Sequence, residues 1–505
     1  MLTRRTFLGA AAALTAGAAT ACSGTTGDPR PTPTRSSTAL PPPTTTATTE
    51  PGPPDWAGLA ARLPGGLHLP GQPGYDAARR VYNPLFDGRR PAAVARCTRD
   101  EDVQACVEVA AGSRIPIAAR SGGHSYAGYS NPDGALVVDL NPLSGVEVAP
   151  DGTAVVGAGT RLIDVYAGLA AAGRALPAGS CPTVGVAGLT LGGGIGVLAR
   201  KYGLTCDRLV SARIVTAGGE VATVSQAQDP DLFWALRGGG GGNVGIVTSF
   251  TFATEPAPEL TVFSLRFGVG ADQVLGAWQN WVADLPDELW TNCVLSAGSP
   301  PGVRIGGCFV GDETGCRRQL DRIGLTATSV LLSTRSYLDA MRYFGGCSTR
   351  DLAQCHPETE GGQLGRESFV ASSRILDGPV DPAAVTGLLA GRTGLDLLLD
   401  SLGGAVSAVA PGDTAFPHRG ALASAQIYAN TAAGARAATD QVGEVRDGLG
   451  ALAGAKGYVN YIDPAMPDWA DAYYGQNLPR LREVASRYDP DGVFAFRQGL
   501  TAPDR

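Results

Sequence analysis

Two glycine-rich segments limit what this chain can fold into. One is Arg120-Ser-Gly-Gly-His-Ser125. The other runs from Gly179 to Gly196 as Gly-Ser-Cys-Pro-Thr-Val-Gly-Val-Ala-Gly-Leu-Thr-Leu-Gly-Gly-Gly-Ile-Gly. Glycine opens positive φ and lets a backbone approach a ligand closely. Successive N–H groups in such turns form concavities that suit an anion such as a pyrophosphate. Each segment carries one group with chemistry of its own, the His124 imidazole and the Cys181 thiol. A lone histidine is ordinarily a satisfied structural group, and a lone cysteine a small buried hydrophobe. Loops this rich in glycine place both beside a ligand instead.

A third segment, Phe233-Trp-Ala-Leu-Arg-Gly-Gly-Gly-Gly-Gly-Asn-Val-Gly-Ile-Val247, puts five glycines between an aromatic helix end and a β-rich strand. In isolation such a run is a flexible linker; between those neighbours it is a tight, ligand-facing turn. Gly194-Ile-Gly-Val-Leu-Ala199 matches a G-x-G-x-x-A string, but no Val/Ile-rich strand leads into it and Asp207 comes too early to hold a ribose. The match is accidental.

The first two segments resemble the FAD-linked oxidases of the vanillyl-alcohol-oxidase type, in particular the berberine-bridge-enzyme-like group. The resemblance is strong over about residues 81–252 and 454–503 and loose between them, where Ala415-Phe-Pro-His-Arg419 is one shared pattern. It implies an α+β chain: a two-part, PCMH-type FAD-binding domain, and a substrate domain made of an antiparallel sheet covered by helices. It also implies FAD joined twice to the protein, through His124 at the flavin 8-methyl and Cys181 at C6. Around the cofactor it places Arg120, Ser121, Gly122, Gly123 and Ser125; Gly179, Ser180, Val184, Gly185, Gly188, Leu189, Gly192, Gly193, Gly194 and Gly196; Asn243, Gly245, Ile246 and Val247; and Asn460. Val184 takes the position where related oxidases keep a small residue over the flavin's oxygen-reactive carbon. Val244 stands where the group usually has an aromatic, and Leu402 where many members have tyrosine.

The same resemblance gives Tyr458, in Tyr458-Val-Asn-Tyr461, the role of base toward a substrate hydroxyl. A free tyrosine, with a pKa near ~10, is a poor base at neutral pH and needs nearby donors or positive charge to ionise. If Tyr458 to Tyr461 is a strand, Tyr458 and Asn460 share a face. Gln426 and Tyr428 share a face of an expected strand over 421–429, the strand from which relatives orient the hydroxyl. Trp469, Tyr473 and Tyr474 are expected to be core aromatics.

The patterning gives strands at 91–97, 115–120, 135–140 and 153–157, with a helix near 101–111 capped by Thr98 and Glu101. A helix over 162–172 is closed by Gly173. A hairpin joins 209–216 to 220–224 through Ala217-Gly-Gly219, and another strand follows at 245–252. The expected organisation is an export segment over 1–22, a linker over 23–54, the FAD-binding domain over 55–255, the substrate domain over 256–453, and a return to the FAD domain over 454–505.

With 505 residues the chain has room for several domains, and its net charge of −7 argues against a nucleic-acid surface. Thr3-Arg-Arg-Thr-Phe-Leu8, followed by an Ala-rich stretch, is similar to a twin-arginine export signal. That route carries folded proteins, so a cofactor is inserted first. Ala19-Thr-Ala-Cys22 is similar to a degenerate lipobox, and lipidation of Cys22 and ordinary cleavage both stay open. The Thr/Pro-rich linker is an extended tether.

With Cys22 and Cys181 set aside, eight of the ten cysteines remain, an even number that suggests disulfides in an exported protein. Cys347 with Cys355 is the best pair, and Cys293 could face Cys308 across a hairpin turning at Pro300-Pro-Gly302. No cluster has zinc spacing, so no metal is expected.

These readings converge on an exported FAD oxidase of an alcohol or carbohydrate, with dioxygen as acceptor. A dehydrogenase of the same fold, using another acceptor, and a surface protein that keeps flavin without catalysis are the two alternatives.

Overall fold

A computed structural model describes residues 52–501. The expected export segment, Cys22 and most of the Thr/Pro-rich tether lie outside them. The described chain begins with a four-stranded sheet in the order Leu67–His68, Ala93–Arg96, Leu136–Asp139, Ile117–Arg120, whose last three strands run parallel. Helix Asp100–Ser113 makes the crossover and buries Val103, Cys106, Val107 and Ala110. Its start differs from the expected box. Arg99 takes the cap position without a side-chain bond, and Asp102 rather than Glu101 reaches back, accepting from the Thr98 backbone N–H and hydroxyl, both at 2.8 Å. Asp102 is fully buried and must find donors, whereas Glu101 faces water.

Next comes an antiparallel five-stranded sheet in the order Val146–Val148, Thr153–Gly157, Ile246–Ala253, Leu209–Val215, Val221–Ser225. The expected hairpin is present, with Val215 opposite Val221 and Gly219 at φ 77°. Helix Leu162–Ala171 ends just before Gly173, at φ 68°. No strand leads into Gly194, and only the four-residue helix Ala199–Tyr202 follows it, so there is no dinucleotide-binding turn there.

From Leu260 the chain forms a seven-stranded antiparallel sheet, in the order 327–335, 260–267, 302–310, 289–296, 395–401, 423–430, 369–376. Strand alternation sorts its side chains. Leu395, Leu397 and Leu399, with Ala425 and Ile427, pack beneath helices Ala271–Ala283, Pro382–Leu389 and Ala435–Ala453. Leu398, Asp400, Gln426 and Tyr428 point the other way.

The same alternation separates Cys293 from Cys308. Cys293 stands opposite Ile305 and Cys308 opposite Trp290, so the two thiols sit in different cores and stay free. Cys347 and Cys355 form a disulfide. The other cysteines expected to pair, Cys97, Cys106, Cys206 and Cys316, are buried free thiols.

After helix Ala435–Ala453 the chain returns to the first two sheets. There Tyr474 Oη donates to Gly239 O and the Leu500 N–H donates to Asn243 Oδ1, both at 3.0 Å. Val459–Tyr461 is a 3-10 turn rather than the expected strand.

Candidate active site

The histidine and cysteine loops are pressed together backbone to backbone. A Cβ on Gly122 would come within 2.2 Å of Gly185 N, and one on Gly185 within 2.2 Å of Gly122 N. Only glycine fits on either side. The contact brings His124 and Cys181 to one hydroxyl: Thr183 Oγ1 lies 3.0 Å from His124 Nε2 and 3.5 Å from Cys181 Sγ. Tyr82 stacks on the imidazole at 3.9 Å. Buried Arg161 donates to the carbonyls of Gly122 (2.7 Å) and Thr183 (2.8 Å), locking the loops in register. Burial, with the Arg161 charge, pushes His124 down to about 3, so the imidazole is neutral. Burial also pushes the Cys181 thiol up, against hydrogen bonds from the Thr183 hydroxyl and from backbone at Thr183 and Val184.

A cavity of about 820 Å³ opens from this junction. Fifteen residues assigned to the cofactor by sequence line it: Ser121, Gly122, Gly123, His124 and Ser125; Cys181, Val184, Gly185, Gly188 and Leu189; Asn243, Gly245, Ile246, Val247 and Asn460. Gly240, Gly241 and Gly242 of the five-glycine run join them. A Cβ on cavity-lining Gly188 or Gly242 would meet no protein atom within 4 Å. Glycine backbone thus forms part of the wall, beside the rings of Tyr82, Tyr126 and Tyr428, around space that fits a dinucleotide.

Four of the residues assigned to the cofactor line neither cavity. Arg120 lines neither cavity; it is 3 % exposed, pairs with Asp139 at 3.2 Å and donates to Ala78 O. Its strand directs it into the first sheet, away from the loop that follows. Gly192, Gly193 and Gly194 are also absent from the cavity wall. They press against Asn460, Phe416 and Thr205, where any Cβ would lie within 3.0 Å of those side chains.

A second cavity, of about 570 Å³, shares Cys181, Val184, Leu189, Asn460, Tyr126 and Tyr461 with the first. Gly179, Ser180 and Gly196 line this one. Tyr458 stands in its wall, 2 % exposed. The Tyr458 phenol oxygen accepts from Asn460 Nδ2 (2.8 Å), Gly194 N (3.0 Å) and Ile195 N (3.2 Å). The packed glycines therefore aim two backbone donors at Tyr458. Burial pushes the phenol up to about 12, and those three bonds hold it below where burial alone would put it. Tyr458 and Asn460 still meet, but through the turn and not through strand alternation.

Gln426 and Tyr428 part company. Gln426 lines the second cavity and donates to Tyr126 Oη. Tyr428 lines the first, stacks on Phe369 at 4.9 Å and donates to Glu367 at 2.7 Å. Two residues along a strand span about 6.8 Å, enough to carry the ring past the boundary between the cavities. Tyr428 therefore lines the first cavity and not the second.

Sequence reasoning missed Asp400, Asn292 and Trp290, all in the second cavity. Asp400 and Asn292 face each other across neighbouring strands, and burial pushes Asp400 up to about 7 against a hydrogen bond from Asn292. Alternation in 395–401 was a usable signal for Asp400; the pairing of the two strands was not in the sequence.

Paired cavities, one edged by glycine-rich loops and one by the face of the antiparallel sheet, suit a flavin-dependent oxidoreductase. The chain belongs to the berberine-bridge-enzyme-like FAD-linked oxidoreductases, as the motif resemblance implied. Residues 91–225 match the FAD binding domain family, and residues 457–501 match the berberine and berberine like family. Over 461 residues it is 32% identical to an uncharacterized FAD-linked oxidoreductase of Bacillus subtilis, YgaK, covering 87% of this chain and 97% of that one. Chitooligosaccharide oxidase of Gibberella zeae is 33% identical over 440 residues, covering 81% and 87% respectively. Among solved structures, Physcomitrella patens BBE-like 1 matches with a TM-score of 0.82 at 30% identity, covering 89% of this chain and 99% of that one.

Proposed function

We propose that the chain is an exported oxidase that carries FAD bonded to both His124 and Cys181 and oxidises a hydroxyl of an oligosaccharide. The observation that carries this reading is the Tyr458 oxygen with its three N–H donors, set in a wall next to the cofactor cavity. A neutral phenol oxygen has two acceptor lone pairs and one proton. Three convergent donors suit the ionised form and favour it.

Tyr458 would take the proton of the substrate hydroxyl while hydride leaves the carbon that bears that hydroxyl. FAD held in the larger cavity would supply the hydride acceptor, with dioxygen as the final acceptor. Ser373 Oγ accepts the Tyr458 backbone N–H at 2.9 Å and fixes the ring's root. Asn460 holds the phenol oxygen on one side and, through Leu189 O at 2.9 Å, the cysteine-loop helix on the other. Holding base and substrate carbon together contributes through proximity.

Aromatic walls from Trp290, Tyr126 and Tyr461, with the polar pair Asp400–Asn292, suit a sugar ring, which has an apolar face and a hydroxyl rim. The names of three relatives, the chitooligosaccharide, glucooligosaccharide and xylooligosaccharide oxidases, support the same substrate class. Export rests on the twin-arginine pattern. The mass of the exported chain separates lipidation at Cys22 from simple cleavage.

An oxygen-consumption screen of the purified chain over oligosaccharides, monosaccharides and aromatic alcohols tests the function. Oxygen uptake with matching peroxide on an oligosaccharide is the expected result. Flavin reduced by a sugar but stable in air would show a dehydrogenase. Flavin reduced by none of the compounds would defeat the proposal.

A further inference from the structure

Thr183 stands between the two residues that would hold the flavin. It is 2 % exposed, and its single hydroxyl reaches both His124 Nε2 and Cys181 Sγ. The reactive form of the cysteine would give the arrangement a direction. A thiolate, not a thiol, is the nucleophile, and the Thr183 O–H is the side-chain donor beside the sulfur. With that hydrogen turned to Cys181, only the lone pairs of the Thr183 oxygen face the imidazole. A neutral imidazole carries one N–H and one lone pair. Nε2 then bears the N–H, and the lone pair is left on Nδ1. Tyr82, stacked at 3.9 Å and 17°, restrains the ring from turning over and exchanging its nitrogens.

We propose that Thr183 is the positioning residue for flavin attachment: its hydroxyl accepts from His124 Nε2 and donates to Cys181 Sγ, readying Nδ1 and the thiolate together. The inference rests on the covalent reading given above. Attachment at histidine joins Nδ1 to the 8-methyl carbon. One methyl C–H and one imidazole N–H are lost, and the two electrons and two protons pass to dioxygen as hydrogen peroxide. Attachment at cysteine joins sulfur to C6. There a ring C–H and the S–H are lost, and the same two-electron transfer reduces a second dioxygen.

The test uses the full-length chain, made in riboflavin-starved cells and then supplied with FAD. Flavin that survives acid denaturation is followed in time, and peptide mass spectrometry locates each bond. Thr183→Val keeps the shape and removes the hydroxyl. It is expected to slow the His124 bond about tenfold or more, the scale of one lost orienting hydrogen bond, with a smaller slowing at Cys181. Thr183→Ser is expected to restore both to within about twofold. Reversible FAD binding and thermal melting of the Val variant serve as controls on folding.

Tautomer is read separately. The chain has four histidines, so nitrogen NMR of histidine-labelled, flavin-free protein can resolve His124. The Nε2–H form is expected in the wild type and the Ser variant. An Nδ1–H form in the wild type, or wild-type attachment kinetics in the Val variant, overturns the role of Thr183. If the Val variant fails to bind FAD, the wild-type tautomer and the Ser variant decide. A wild type with no acid-stable flavin overturns the attachment reading itself, which is a different failure.

Discussion

The two cavities that share Cys181 and Val184 are built in opposite ways. The larger is edged by glycine-rich loops, with 121–125, 185–189 and 240–247 all reaching its wall. The smaller is walled by side chains standing on one face of the seven-stranded sheet, with Asn292, Asp400 and Gln426 among them. A backbone wall depends on residues that lack side chains, so the ligand's shape is written into the sequence. A sheet wall keeps its geometry whatever its outward residues are, so substrate can change while the fold does not.

The contrast breaks most sharply if the backbone wall alone holds the cofactor. His124→Ala with Cys181→Ser is expected to release all flavin on acid denaturation, while either single variant keeps it; flavin fluorescence on a denaturing gel checks this. Tyr458 draws on both regions, with its donors on a glycine loop and its ring in the wall of the smaller cavity. Tyr458→Phe is expected to slow flavin reduction by about 10²-fold or more with unchanged flavin content, read by stopped-flow absorbance.

At the shared boundary, Val184→Leu is expected to slow reoxidation of reduced enzyme roughly tenfold and leave reduction nearly unchanged. That is the order set by the ~1–3 kcal/mol cost of an added methylene in a packed site. Mixing reduced enzyme with oxygenated buffer measures it, and equal rates would return Val184 to simple packing.

The smallest effect sharpens the account of the sheet wall. Burial pushes Asp400 up to about 7, well above the usual carboxylate range. The folded state therefore holds the extra proton, and its contribution is present below about pH 4 and lost as pH rises through about 7. Asp400→Asn removes this dependence. Its melting temperature should gain on the wild type by roughly 2 °C between pH 5 and pH 8, with flavin content unchanged.

The backbone wall was legible because few residues other than glycine survive where it is tight. Gly122 and Gly185 touch, and Gly245 sits at φ 145°. Those constraints leave marks that a single sequence displays. Arg120 misled because it adjoins the motif, yet its strand turns it into an ion pair. Gly192 to Gly194 misled in a related way: glycine marks a close approach without saying to what, and here the partners are Asn460, Phe416 and Thr205. The sheet wall was less legible because alternation gives a face but not a neighbour. Nothing local links Asn292 to Asp400 before strands 289–296 and 395–401 pair. Nor does alternation say where one cavity ends, which is how Tyr428 came to be placed beside Gln426. The turn at 459–461 escaped because a 3-10 segment of three residues has no period to read.

The meeting of the histidine and cysteine loops also bears on mechanical endurance. A flavin bonded at both His124 and Cys181 is a cross-link, closing a ring of about 60 residues that runs through the two smaller sheets. In chain-entropy terms such a closure restricts the unfolded state by about 4 kcal/mol, comparable to a disulfide of the same span. Reducing agents that open Cys347–Cys355 would leave this link intact, since neither of its bonds is between two sulfurs. If the proposed double attachment holds, the cofactor would thus double as a staple that no thiol can undo.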